Sequence, residues 1–463
     1  MLRATRTRFI YEYKFGQPSL TKAFGTKIPA SGLALQPGQL QESKLPNGVR
    51  VVSHDLDGPH SVVGVYAEAG AKFDPLATPG LSYVMRFAIQ SSNMENSLFQ
   101  LDRTMRATGS AYGHGEIDKR FLSWKAESRR DMWEKPFEML ATGVVIPRFH
   151  EADIERFRDT MDNQLQEQRW QNPRDYVVDQ LETVAFYKEP LGSPRMVPPK
   201  ANDRCGHKAL LDQWASLFQP NRVVVAGVNV PHDALVAAYE RLPYKHSAEA
   251  PHHARSKAPE LNVTSEAAQF NPGRQGVEYE NRAGAMGTKP DMDAEVIAAV
   301  GVVTSGSGAG AKPYATALVA RELFDAATRV AGESNYFGVQ TFYRPYASAG
   351  LIGYTVRGAP GQIEKMVAAA AGAFPTSVAE DALARARARA EMRVHHEQLG
   401  VARDYCDFIA TSASKAEELA AAVKAVSKAD VEEALKAIVA QKPASFTTGD
   451  TFVFPLVSSL NKV

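Results

Sequence analysis

His395-His396-Glu397 sets two imidazoles side by side, the most direct candidate for metal chemistry in this chain. Neighbours on a helix point about 100° apart, so the pair does not converge on one ion and reads as a solvated helix face. His252-His253 lies in a stretch rich in Pro, Ala and Ser and lacks carboxylate company. Gly306-Ser307-Gly308 precedes no Lys-Ser or Lys-Thr pair, which rejects a phosphate loop. Cys205 and Cys406 are far apart and have no metal-type spacing; idle thiols in a reducing compartment are expected rather than a disulfide. Arg385, Arg389 and Arg393 recur every fourth residue and share one helical stripe. That stripe could dock acidic peptide or lipid headgroups. Like charges at this spacing repel slightly, Arg387 can pair with Glu391, and a solvated surface is the plainer reading.

These residues need a scaffold. At 463 residues the chain is too long for one ordinary core, and two or more domains are expected. The apolar fraction of 44% and charged fraction of 23% are those of a soluble globular protein. A net charge of +1 gives no argument for nucleic acid or for general membrane adsorption. No apolar run reaches the roughly 18 residues that span a bilayer, so any membrane connection passes through partner subunits. The first forty residues carry Arg3, Arg6, Arg8, Lys14, Lys22 and Lys27 against Glu12 alone. Such a basic, acid-poor segment reads as a mitochondrial transit segment or as an arm that packs on a neighbouring subunit.

The pattern divides as residues 1–40, the basic arm; 41–245, a first domain; 246–264, a linker rich in Pro, His, Ala and Ser; and 265–463, a second domain. The first domain opens with a hairpin over Lys44–Ser53, Asn47-Gly48 giving a two-residue turn signal. A strand over Ser61–Ala67 ends at Gly70, and a helix follows Thr78-Pro79-Gly80. Asp102–Ala107 is helical, Phe121–Glu127 alternates as a strand, and a long helix covers roughly His150–Arg169, its first turn bearing Glu151 and Asp153. Asn221–Asn229 is a Val-rich strand and Asp233–Leu242 a closing helix. A second copy starts about 214 positions on, where Ala283-Gly284-Ala285 matches Ala69-Gly70-Ala71. Gln340–Tyr343 and Gly350–Val356 give a strand pair, Ala382–Gln398 a long helix, and Ser445–Asp450 mirrors Val225-Ala226-Gly227. Preserved order makes this a tandem repeat, and strands that open and close each half with helices between favour an α+β layering.

Val63–Asp74 followed by Pro79–Phe87 resembles the start of the mitochondrial processing peptidase family, which includes the two large core proteins of the cytochrome bc1 complex. Asn172-Pro173, Leu191-Gly192-Ser193-Pro194, Val223–Asp233 and Tyr346–Gly353 extend the resemblance over nearly the whole chain after residue 40; Ser348 departs from an acid in the last stretch. The resemblance implies two similar domains, each a mainly antiparallel sheet covered by helices. In active members a helix near the glycine carries H-x-x-E-H, an inverted zinc signature. Register on Gly80 puts Tyr83, Arg86 and Phe87 at those His, Glu and His positions, and the remaining Glu ligand, on a later helix, at Gln164. A hydrolytic zinc needs three protein ligands and an open position for water. Tyr83 keeps its proton at neutral pH, Arg86 is permanently cationic, Phe87 has no lone pair, and Gln164 is a neutral amide. No zinc and no hydrolysis are expected there.

Two non-catalytic branches of the family remain. The second-core type implies a matrix-side structural subunit of complex III, peripheral to the inner membrane. It would pair with a sister core or β-type subunit, support cytochrome b and cytochrome c1, and bind no haem, quinone, metal or nucleic acid. The α type implies a presequence clamp beside a zinc-bearing partner, and one protein can serve both roles. The α type carries a long glycine loop; here the equivalent segment has only Gly306, Gly308 and Gly310. These are a candidate peptide-binding loop or a plain connection, and the shortness resembles the second-core type.

Overall fold

Two buried, Val-rich strands, one in each half, lie inside two sheets of matching strand order. The computed structural model describes residues 38–113, 115–242, 268–278, 295–331, 338–411 and 416–462. The first half contributes β1 (Gln41–Lys44), β2 (Arg50–His54), β3 (His60–Ala67), β4 (Ala111–Tyr112), β5 (Glu116–Ile117), β6 (Leu122–Arg129) and β7 (Val223–Val228). They are ordered β1-β2-β7-β3-β6-β4, with β5 also on β6. The second half contributes β8 (Arg274–Glu278), β9 (Val296–Thr304), β10 (Val339–Pro345), β11 (Gly350–Gly358) and β12 (Ala444–Gly449), ordered β8-β12-β9-β11-β10. In each sheet one parallel pair, β2 with β7 or β8 with β12, adjoins antiparallel neighbours. β2-β7-β3-β6 thus has its counterpart in β8-β12-β9-β11, and the fold is an α+β tandem repeat.

The helices of the first half are α1 (Leu81–Ile89), α2 (Leu98–Ala107), α3 (Glu134–Val145), α4 (Glu151–Gln171), α5 (Pro173–Ala185), α6 (His207–Leu217) and α7 (His232–Glu240). Those of the second are α8 (Ala311–Ala331), α9 (Pro360–Gly372), α10 (Glu380–Leu399), α11 (Ala402–Thr411), α12 (Ala416–Ala425) and α13 (Lys428–Val439). Strand alternation sends successive side chains to opposite faces. On β3, Val63 and Val65 join the first core with Leu81, Val84 and Phe137, while Val62 and Tyr66 face away. That second face is covered from the other half: Cys406, Ile409 and Ala410 of α11 pack on Val62, Tyr66 and Val224. The exchange is mutual, since Val177, Val178 and Leu181 of α5 pack with Ile297, Ala299, Leu351 and Phe446 of the second sheet. Each half lends one helix to the other's sheet, which explains why β7 is buried along its whole length.

Four local expectations are corrected. The opening hairpin forms, with Lys44 opposite Arg50. Its turn centres on Pro46-Asn47, closed by Gly48 N–H donating to Leu45 O at 2.9 Å. Gly48 follows at φ +105, the left-handed bulge position rather than half of a two-residue turn. Ala283-Gly284-Ala285 lies outside the described residues. By strand position the counterpart of Ala69-Gly70-Ala71 is Ser305-Gly306-Ser307, because β9 ends just before it as β3 ends before Gly70. Glu391 pairs with Lys424 at 2.8 Å and approaches His395 at 3.7 Å, in place of Arg387. The arginine stripe is not uniformly solvated either: Arg393 donates to the buried carboxylate of Glu322 at 2.8 Å. The basic-arm residues, the segment 246–264 and His252-His253 fall outside the described residues.

Candidate functional site

Gly80 starts α1 at φ +80, and a Cβ there would stand 2.6 Å from the Val197 backbone, so only glycine fits this entry. Asp74 fixes the first turn by accepting from Ser82 N–H at 3.0 Å and from the Ser82 hydroxyl. Trp124 Nε1–H donates to Arg86 O at 3.0 Å and holds the helix against β6. α4 runs alongside, its Phe157 ring stacked on Phe87 at 5.4 Å between centroids.

This frame brings Tyr83, Arg86, Phe87 and Gln164 together. The Tyr83 hydroxyl donates to Gln164 Oε1 at 2.8 Å. The Arg86 guanidinium lies 4.1 Å from the Tyr83 ring centroid and 4.4 Å from that of Phe87, a two-ring cation–π arrangement. Burial raises the Tyr83 pKa, Arg86 opposing, so the phenol stays protonated. Burial also lowers the Arg86 pKa, Tyr83 and Glu116 opposing. A resident zinc does not fit these residues: a phenol, a guanidinium, a phenyl ring and an amide offer no anionic or imidazole donor, and the guanidinium repels a cation. Among the described residues no group of three or more His, Cys, Asp or Glu is placed to hold a metal ion.

Gly306 and Gly308 sit elsewhere, in the second half. Ser307 N–H donates to Tyr346 O at 2.8 Å and Gly308 N–H to Ala347 O at 3.1 Å. A Cβ on Gly306 would meet Tyr346 O at 2.1 Å, and one on Gly308 would meet Ala347 O at 2.3 Å. Both glycines are therefore required by close backbone approach. Gly310 enters α8 at φ +104.

A buried ionic cluster between the halves escaped the sequence reading. Glu182 of α5, fully buried, takes Lys119 Nζ at 2.9 Å and Arg195 Nη1 at 2.6 Å on one oxygen, and the Tyr346 hydroxyl on the other. Burial alone would push the Glu182 pKa up, yet Arg195 and Lys119 hold it down to about 2. Lys119, desolvated and facing Arg195, is lowered in spite of Glu182. The signal was present: Glu182 stands on the apolar stripe of α5, in phase with Val178 and Ala185.

Among the described residues no helix is long and apolar enough to cross a membrane. The insulinase (peptidase family M16) profile matches residues 50–199. The chain is 26% identical over 213 residues to cytochrome b-c1 complex subunit 2 of Rattus norvegicus, covering 45% of this chain and 46% of that protein. It is 23% identical over 223 residues to the probable mitochondrial-processing peptidase subunit alpha-1 of Arabidopsis thaliana, covering 46% and 44%. Both alignments span less than half of those relatives. A longer one, 22% identical over 438 residues, covers 91% of this chain and 94% of mitochondrial-processing peptidase subunit alpha-2 of Dictyostelium discoideum. Residues 50–199 match the peptidase family M16 model, and the chain's homologues are mitochondrial-processing peptidase alpha subunits and cytochrome b-c1 complex subunit 2.

Proposed function

We propose that this chain is a non-catalytic core-type subunit of mitochondrial ubiquinol–cytochrome c reductase, held on the matrix side of the inner membrane through its partners. In that role it pairs with a sister core or β-type subunit and supports cytochrome b and cytochrome c1. The observation that carries this reading is Arg86 lodged against the Tyr83 and Phe87 rings, beside the Tyr83–Gln164 hydrogen bond. A helix pair that would hold a hydrolytic ion is instead packed with aromatic, cationic and amide groups. The similarity to cytochrome b-c1 complex subunit 2 supports the assignment, as does the short glycine segment braced on Tyr346 and Ala347.

A second reading is the substrate-recognition α subunit of a processing peptidase, alone or combined with the first role. The alignment over nearly the whole chain with a processing peptidase alpha-2 subunit favours it. In that role Gly306, Gly308 and Gly310 border the presequence peptide. The test is migration on a native gel stained for haem, with a parallel cleavage assay on a presequence peptide using a zinc-bearing β-type partner. Co-migration with haem and cleavage indifferent to this chain is the expected result. Migration as a small haem-free heterodimer, with cleavage that depends on this chain, would overturn the first reading in favour of the second.

A further inference from the structure

The two halves face one another across a cavity of about 270 Å³. Equivalent loops form its opposite walls: Lys72 and residues 118–121 from the first half, Ser307, Gly308 and residues 345–348 from the second. Each wall is built alike. Ala71 and Lys72 N–H donate to Asp118 and Lys119 O, as Ser307 and Gly308 N–H donate to Tyr346 and Ala347 O. The basic side chains lie on one wall only. Lys72, Arg120 and Arg222 share two carboxylates, Glu68 and Asp118. Arg120 Nε takes Glu68 at 2.6 Å, leaving its two terminal nitrogens without a hydrogen-bond partner among the described residues. Arg222 donates to Glu68 O, and Asp118 also approaches Arg195 at 3.5 Å. Lys72 makes no ion pair with any described residue and lies over the Phe73 ring at 4.8 Å. Three cations on two carboxylates leave this end of the cavity with an excess of positive charge that a bound anion would complete. The rest of the lining includes Phe121, Leu191, Pro345, Phe408 and Leu419.

We infer that this cavity binds a small organic anion, its carboxylate or phosphate head on Lys72 and Arg120 and its apolar body against Phe121, Leu191 and Leu419. The cationic end gives the head a charge-assisted site, and the apolar wall gives a short hydrocarbon tail a place to leave water. Neither element belongs to the α1–α4 site.

Calorimetric titration of the full chain with octanoate, 1-octanol and inorganic phosphate tests it. Octanoate is expected to bind saturably and at least tenfold more tightly than either, since octanol lacks the charge and phosphate lacks the tail. Lys72→Gln is expected to weaken octanoate at least tenfold without lowering the thermal midpoint. Burial, with Arg120 adding repulsion, lowers the Lys72 pKa to about 8, so octanoate affinity should fall severalfold between pH 7 and pH 9.5. Octanol binding as tightly as octanoate, phosphate binding as tightly as octanoate, or an unchanged affinity in Lys72→Gln would each overturn the inference. So would the absence of saturable octanoate binding, a result that needs no variant to fold.

Discussion

The Tyr83 hydroxyl donates to Gln164 Oε1 at 2.8 Å, a neutral link between α1 and α4. The link is one contact in a packed set. Phe87, 5% exposed, meets Tyr83 edge-on at 5.4 Å and stacks on Phe157. Arg86 covers both α1 rings.

Packing, more than that hydrogen bond, should hold the two helices together. A net intramolecular hydrogen bond contributes about 0.5–1.5 kcal/mol, and Gln164 is only half-buried. Emptying a buried phenylalanine site costs about 3–5 kcal/mol. Urea unfolding should therefore show Tyr83→Phe near the lower range and Phe87→Ala near the higher one. Equal losses would mean that the Tyr83–Gln164 link dominates.

The join between the halves should depend on Glu182. Its carboxylate serves two buried cations, so Glu182→Gln strands Lys119 and Arg195 and should cost about 3–5 kcal/mol. With the native pKa held at about 2 against an ordinary 4.5, the ionised form supplies stability above pH 4.5 that is lost as pH falls toward 2. Acid titration of unfolding free energy should show that loss in the wild type and a flatter limb in the variant. Identical limbs would remove Glu182 from the acid response.

Much of this architecture was legible in the sequence because it rests on short-range patterns. The Val runs of β3 and β7, the glycine before α1 and the polar length of α4 are all local signals. The four positions gathered at the α1–α4 contact came from family register, and the structure places them side by side. What stayed hidden depends on distant pairing. The mutual loan of α5 and α11 is decided by which half covers a sheet's second face, and no local period encodes that. The same limit misplaced the repeat register: Ala283-Gly284-Ala285 matches by composition, while Gly306 matches by its place after β9.

Asp74 should make stability fall as pH rises through the weakly acidic range. Burial raises its pKa from 3.8 to about 7, against the hydrogen bonds from Ser82 and Gln213, and its Oδ2 lacks a hydrogen-bond partner. Between those two values the folded chain holds a proton that the unfolded chain has released, so raising the pH costs stability. Asp74→Asn should lack this loss and gain on the wild type by a few kcal/mol between about pH 4 and pH 7. Chemical denaturation across that range checks it; a constant difference between the two proteins would show that the carboxyl does not titrate there.

The two thiols should report separately on the first core and on the loaned helix. Both are free and buried, and burial pushes Cys205 to about 11 and Cys406 to about 12, so neither is a ready thiolate in the native state. Cys205 belongs to the core of the first half, while Cys406 sits on α11 against Tyr66. Next to it, Asp407 accepts from Lys125 Nζ at 2.6 Å and from the Tyr66 hydroxyl at 2.8 Å, so one carboxylate pins α11 to the first sheet. Lifting that helix exposes Cys406 and leaves Cys205 covered, a local opening of lower free energy than global unfolding. Thiol alkylation followed by mass spectrometry in rising urea should therefore modify Cys406 before Cys205. Asp407→Ala should widen the gap by speeding Cys406 alone. Modification of both at one urea concentration, with Asp407→Ala speeding both equally, would mean that the exchanged helices fuse the two halves into a single cooperative unit.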